Sequence, residues 1–239
     1  MKMKIILVLI FFSLFIFITY VENSKEDINY TILGDKDIFS NNIMSKNFSD
    51  LIYDELGNIK DFGFYSKDFI EKDIRIIDLI NDINSNKKID NLTIQNILSR
   101  TNILILGVGN NEINYKISKL DIKENNDYIM YSYLDRLLID IQSLINLIKE
   151  YEKDNIIFLG YYNDTGNKNN DKYYIYINKQ LEKIMKDNDI CFINLFNILN
   201  KNEDYLTTNL PIYITNDGNI AIFNKIYSKI DELYLHKKH

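Results

Sequence analysis

The sequence predicts an α/β fold: a three-layer, doubly wound sandwich on a mostly parallel sheet of about five strands, preceded by an N-terminal apolar helix. Two observations carry this. Residues 103–106, 156–159 and 190–193 are apolar throughout, and a strand without polar alternation is buried on both faces, as in a parallel sheet covered by helices. Between them, apolar residues recur at helical spacing, with Leu134, Leu137, Leu138, Ile141, Leu144, Ile145 and Ile148 in one stretch and Tyr174, Ile177, Leu181 and Ile184 in the next.

Taken in order, the chain opens with an apolar run at residues 5–21, interrupted only by the hydroxyls of Ser13 and Thr19. Lys2 and Lys4 precede it and Glu22, Glu26 and Asp27 follow. A positive flank before an apolar run and an acidic one after it predict export. The run lies at the lower limit for crossing a bilayer. No small-x-small pair follows it, and the only alanine is Ala221, so an uncleaved signal anchor within residues 1–24 is favoured over a cleaved signal peptide. No cysteine near its end offers a site for lipid attachment. Residues 25–239 then suit one domain.

Residues 30–33 read as a strand stopping at Gly34-Asp35. Phe48, Leu51, Ile52 and Leu56 follow at helical spacing, with Asn47 as cap and Gly57 placed to end the helix. A strand at 58–62, a helix at 67–83, a loop at 84–88, a short helix at 93–99 and the strand at 102–106 come next. The last helix is expected to start at Asn216 or Asp217 and to bury Ile222, Phe223, Ile226, Ile230 and Leu233.

The formal charge of -6 is spread along the chain with no basic face, which argues against a nucleic-acid partner. The lone Cys191, flanked by Ile190 and Phe192, cannot form an internal disulfide and reads as a core thiol.

In a doubly wound sheet the functional groups follow the carboxyl ends of the strands. There the chain resembles the GDSL or SGNH hydrolases. Ile32-Leu33-Gly34-Asp35 followed by Phe48-Ser49-Asp50-Leu51-Ile52 resembles the family's first block, and Ile59-Lys60-Asp61-Phe62-Gly63 its second. Leu106-Gly107-Val108-Gly109-Asn110-Asn111-Glu112 resembles the third, with Glu112 in place of an aspartate. Ile214-Thr215-Asn216-Asp217-Gly218 lies where the family carries its histidine before the final helix. Four blocks in order span residues 29–233.

The resemblance implies ester hydrolysis: a serine attacks, a histidine takes its proton, and an aspartate three residues earlier orients the imidazole. The serine position holds Lys36, the histidine position Ile214 and the aspartate position Pro211. A protonated lysine is no nucleophile, and isoleucine moves no proton. Asn111 matches the oxyanion-hole asparagine, while Ser66 replaces the second-block glycine. The vestigial pocket implied comprises Asp35, Lys36, Ser66, Asn111 and Glu112. No cofactor or metal is implied.

Among other readings, Lys36 serves as a point charge for an anion or is merely solvated, and Asp35 orients its own turn. Ser40, Ser45 and Ser66 have no histidine before His236 to activate them; His236 and His239 belong to a basic tail. Tyr161-Tyr162 beside Asn163-Asp164 are candidates to line a glycan cleft. The favoured expectation is a membrane-anchored, extracytoplasmic, catalytically inactive binding or scaffolding domain whose partner is an envelope glycan, an acyl ligand or a protein. The competing expectations are an active esterase or deacetylase with a non-standard constellation, and a purely structural surface protein with no pocket.

Overall fold

A computed structural model describes residues 28–39, 46–59, 62–120, 127–152 and 155–232. The apolar run at 5–21, Ser40, Ser45, Leu233, His236 and His239 lie outside them. Strand β1 (Ile28–Asp35) leads into α1 (Lys36–Phe39) and α2 (Phe48–Ile59). Asn47 caps α2 as expected, its side-chain oxygen accepting from the backbone N–H of Ser49 at 2.9 Å and of Asp50 at 3.1 Å. The helix runs on through Gly57 to Ile59, so that glycine does not end it.

The second strand, β2, is Phe62–Ser66, a few residues later than expected. The helix expected from residue 67 starts only at Ile76, because the chain first adds a short strand, β3 (Ile70–Glu71), beside β1 and then turns through Asp73 in the left-handed region at φ 57°. Helix α3 (Ile76–Asn84) follows. The expected loop at 84–88 leads into a small hairpin of β4 (Lys88–Ile89) and β5 (Leu92–Thr93), turning through Asp90 at φ 51°.

Then come α4 (Ile94–Arg100), β6 (Ile103–Gly107), α5 (Asn110–Lys119), α6 (Asp127–Ile148), β7 (Ile156–Leu159), α7 (Asp171–Asp187), β8 (Cys191–Ile193), α8 (Leu195–Leu199) and α9 (Asn216–Ile230). Thr215, and neither Asn216 nor Asp217, caps α9: its hydroxyl oxygen accepts the N–H of Gly218 at 3.2 Å. Cys191 is half-buried against the core, and burial raises its thiol pKa.

The main sheet is parallel in the order β2-β1-β6-β7-β8, with β3 on the same side of β1 as β2. Successive strand residues feed opposite layers. Leu33, Leu104, Leu106 and Phe158 pack with α3, α4, α6 and α7, whereas Ile32, Ile105, Ile157 and Leu159 pack with α1, α2, α8 and α9. The result is the three-layer sandwich that the apolar strands predict. Because β1 is followed by β2 on one side and flanked by β6 on the other, the winding reverses there, opening a crevice at the carboxyl ends of β1 and β6. Among the described residues no helix is long and apolar enough to cross a membrane.

Candidate functional site

The crevice is built on two glycines. Gly34 and Gly107 are register partners in β1 and β6, and a Cβ on Gly34 would sit 1.9 Å from the Gly107 carbonyl oxygen. Gly34 also has φ +129°, a conformation that L side chains rarely adopt. This approach brings the loop after β1 against the loop after β6, where Gly109 at φ 105° opens α5.

Asp35 sits at the junction, fully buried. One carboxyl oxygen accepts the backbone N–H of Asp37 at 3.0 Å, the turn role expected of it, and the other accepts the side-chain amide of Asn111. Burial pushes the Asp35 carboxyl up to about 7; the N–H groups of Asp37 and Asp73 pull it back down, and the carboxylates of those residues push it up. The Asn111 amide also approaches the Asp73 carboxyl at 3.5 Å. The Asn111 amide, expected from the sequence as an oxyanion donor, is therefore directed at carboxyl groups.

A second polar cluster lies across the crevice. Asn110 accepts the N–H of Tyr162 at 3.0 Å, which ties the loop after β7 to α5. Asp164, in that loop, accepts from Asn114 at 2.5 Å and, at a long 3.4 Å, from Asn110. The Tyr174 hydroxyl donates to the Asn114 side-chain oxygen and fixes that amide in turn. Burial raises the Asp164 carboxyl to about 7, against the bond from Asn114.

Between the two clusters runs a cleft of about 840 Å³ lined by Lys36 and Asp37, Lys72, Tyr162 and Asp164, and residues 210–214. The structure thus brings Lys36, Pro211 and Ile214 to one cleft, beside the Asp35–Asn111 contact. Ile214 is 5% exposed, and its side chain packs so closely that a Cβ on Gly218 would meet it at 2.8 Å.

Three residues from the sequence reading lie elsewhere. Ser66 is buried with its hydroxyl on the Asp68 carboxyl at 3.1 Å, in a separate hollow with Phe64 and Arg100. The residue that reaches Asn111 from the β2–α3 connection is instead Asp73. Glu112 accepts the N–H of Ile76 at 2.9 Å and so holds the start of α3. Of the tyrosine pair, Tyr162 lines the cleft and Tyr161 is buried in the opposite core layer.

Lys72, Asp73 and Asn114 carry no signal in the sequence, since their roles arise from a turn and a helix packed across the sheet. Among the described residues no group of three or more His, Cys, Asp or Glu is placed to hold a metal ion.

Solved structures with this architecture identify it. A lipase from a goat rumen metagenome superposes with a TM-score of 0.68 at 14% identity, covering 84% of this chain and 96% of that chain. A member of the lipolytic G-D-S-L family from Veillonella parvula gives 0.58 at 13%, covering 87% and 98%. A catalytic mutant of an acetylxylan esterase from Geobacillus stearothermophilus gives 0.58 at 13%, covering 86% and 96%. The fold is that of the GDSL/SGNH hydrolases. No family model and no curated protein matches the chain. In this fold Lys36 follows the Gly34-Asp35 turn, and Ile214 directly precedes the cap of the last helix.

Proposed function

We propose that this SGNH-fold domain is catalytically inactive and serves as a binding or scaffolding module at the outer face of a membrane, to which residues 1–24 anchor it. One observation carries the reading. A cleft of about 840 Å³ is lined by Lys36, Pro211 and Ile214, the residues that the family resemblance assigns to the three proton-transfer positions. With isoleucine at the histidine position, no imidazole is there to take the proton of an attacking hydroxyl. Asn111, already engaged by Asp35 and near Asp73, would have to place a developing oxyanion beside carboxyl groups.

The second reading, an ester hydrolase with an unfamiliar constellation, draws on the lipases and esterases that share the fold. Hydrolysis of p-nitrophenyl acetate by the full chain separates the two. The natural chain is expected to match buffer, and Lys36→Ser/Pro211→Asp/Ile214→His to exceed it. Turnover by the natural chain that Asn111→Ala abolishes, with the melting transition kept, would establish the second reading.

A further inference from the structure

Resting on the reading of the cleft as a binding site, we propose that it takes a neutral, hydroxyl-rich ligand, an oligosaccharide, and that Asp164 is the acceptor that recognises it. The charges lining the cleft point this way. Lys36 and Lys72 face it together with Asp37 and Asp164, so two ammonium groups and two carboxyl groups share one space. A cation entering it meets both lysines; an anion meets both aspartates, with the buried Asp35 behind them. A neutral ligand meets neither penalty.

Asp164 supplies the second observation. Asp164 is half-buried on the cleft wall, and that burial pushes its carboxyl up to about 7. One oxygen accepts from Asn114 at 2.5 Å and the other from the Asn110 amide at a long 3.4 Å, and the residue's own backbone N–H also donates to the carboxyl. A carboxylate offers about four lone-pair sites, so with three donors, one of them long, acceptor capacity remains on the side that faces the cleft. The carboxyl is also pre-positioned: Asn114 is itself fixed by the Tyr174 hydroxyl, and Asn110 by the Tyr162 N–H. A ligand hydroxyl donating there finds its partner already ordered.

The rest of the wall suits the other half of a sugar ring. Tyr162, Pro211, Ile212 and Tyr213 present apolar surface against which the C–H faces of a pyranose pack. A purely aliphatic ligand would cover Asp164 without giving it a hydrogen bond and would bind against that cost.

Three trisaccharides of similar size and different charge test this: the trimers of N-acetylglucosamine (neutral), glucosamine (cationic) and galacturonic acid (anionic). Each is titrated calorimetrically into the full chain in a polyoxyethylene detergent at about pH 8, where the Asp164 carboxyl is ionised. The neutral trimer is expected to bind most tightly. Asp164→Asn is expected to weaken it about ten- to a hundredfold, the range of a hydrogen bond to a charged group. Tyr213→Ala, on the half-buried wall, should cost at least about threefold and decides the location independently should Asp164→Asn fail to fold. No binding of any trimer, tighter binding of a charged one, or a folded Asp164→Asn with unchanged affinity would overturn the proposal. Ester hydrolysis by the natural chain would sink the inactive reading alone and leave the trimer result standing.

Discussion

Two loop regions meet at the cleft and differ in what holds them. On one side, the crest formed by Gly34-Asp35 and residues 107–111 has a backbone that admits little but glycine at positions 34 and 109. On the other, residues 210–215 hold neither histidine nor carboxylate, and Ile214 there packs into the core. The crest is set by steric contact and the 210–215 wall by apolar packing, so the scaffold needs its glycines and has no structural need of a histidine.

The sharpest way to break that contrast is at the crest. Gly34→Ala places a Cβ 1.9 Å from the Gly107 carbonyl oxygen in a backbone at φ +129°. Strain of this kind combined with backbone overlap is expected to cost about 4 kcal/mol or more, read as a lost or collapsed urea transition. A variant within about 1 kcal/mol of the natural chain would show the two strands free to separate, and the crest would be no more constrained than the wall.

The matching change in the wall is Ile214→Ala. Ile214 is 5% exposed and belongs to the core layer of Ile222, Ile226 and Leu199. Truncation there is expected to cost about 2 kcal/mol, at the low end for a buried isoleucine because the cleft allows relaxation. A urea midpoint unchanged from the natural chain would mean that Ile214 contributes nothing to packing, and that the wall is not held by its apolar contacts.

A smaller effect is expected where the wall is tied to the body. Asn219, 1% exposed, accepts the N–H of Phe48 at 3.1 Å and donates to the Thr215 carbonyl at 3.0 Å, linking α9 to the start of α2. Asn219→Ala leaves the Phe48 N–H buried without a partner and should cost about 1.5 kcal/mol by equilibrium unfolding. No change would mean that the two helices are held by their apolar contacts alone.

The same contrast explains what was legible in the sequence. Ile103, Leu104, Ile105 and Leu106 announce a strand buried on both faces, and the stripe from Leu134 to Ile148 announces the helix covering it, because burial writes itself into hydropathy. Gly34-Asp35 and Gly109-Asn110-Asn111 were readable because each glycine answers a backbone demand. Helix α5 escaped because it buries only Asn110 and Ile113 and reads as polar. Asp73 escaped because its approach to Asn111 depends on a left-handed turn and on β3, a two-residue strand with no periodicity of its own. Ser66 is expected at the site only as the replacement for the second-block glycine, and the same short strand carries the connection past it.

A change of slope, and not of stability at one pH, compares one carboxyl from each side. Asp35 belongs to the crest and Asp164 to the cleft, and burial raises both to about 7, against about 3.9 for an unfolded aspartate. Between about pH 4 and 7 the native state therefore keeps protons that the unfolded chain has released, so stability falls as pH rises through that window and is flat on either side of it. Replacing either residue with asparagine should flatten the curve by less than about 1 kcal/mol per pH unit, since one fully titrating group sets the upper limit near 1.4. Urea midpoints at several pH values across that window measure it. Asp35 is fully buried, whereas Asp164 lines a cleft that water enters, so Asp35→Asn should flatten the curve more. Equal flattening would mean that Asp164 is as dry as the crest, and parallel curves for the Asp164 variant would mean that it titrates like a surface acid and has no unmet need for a donor.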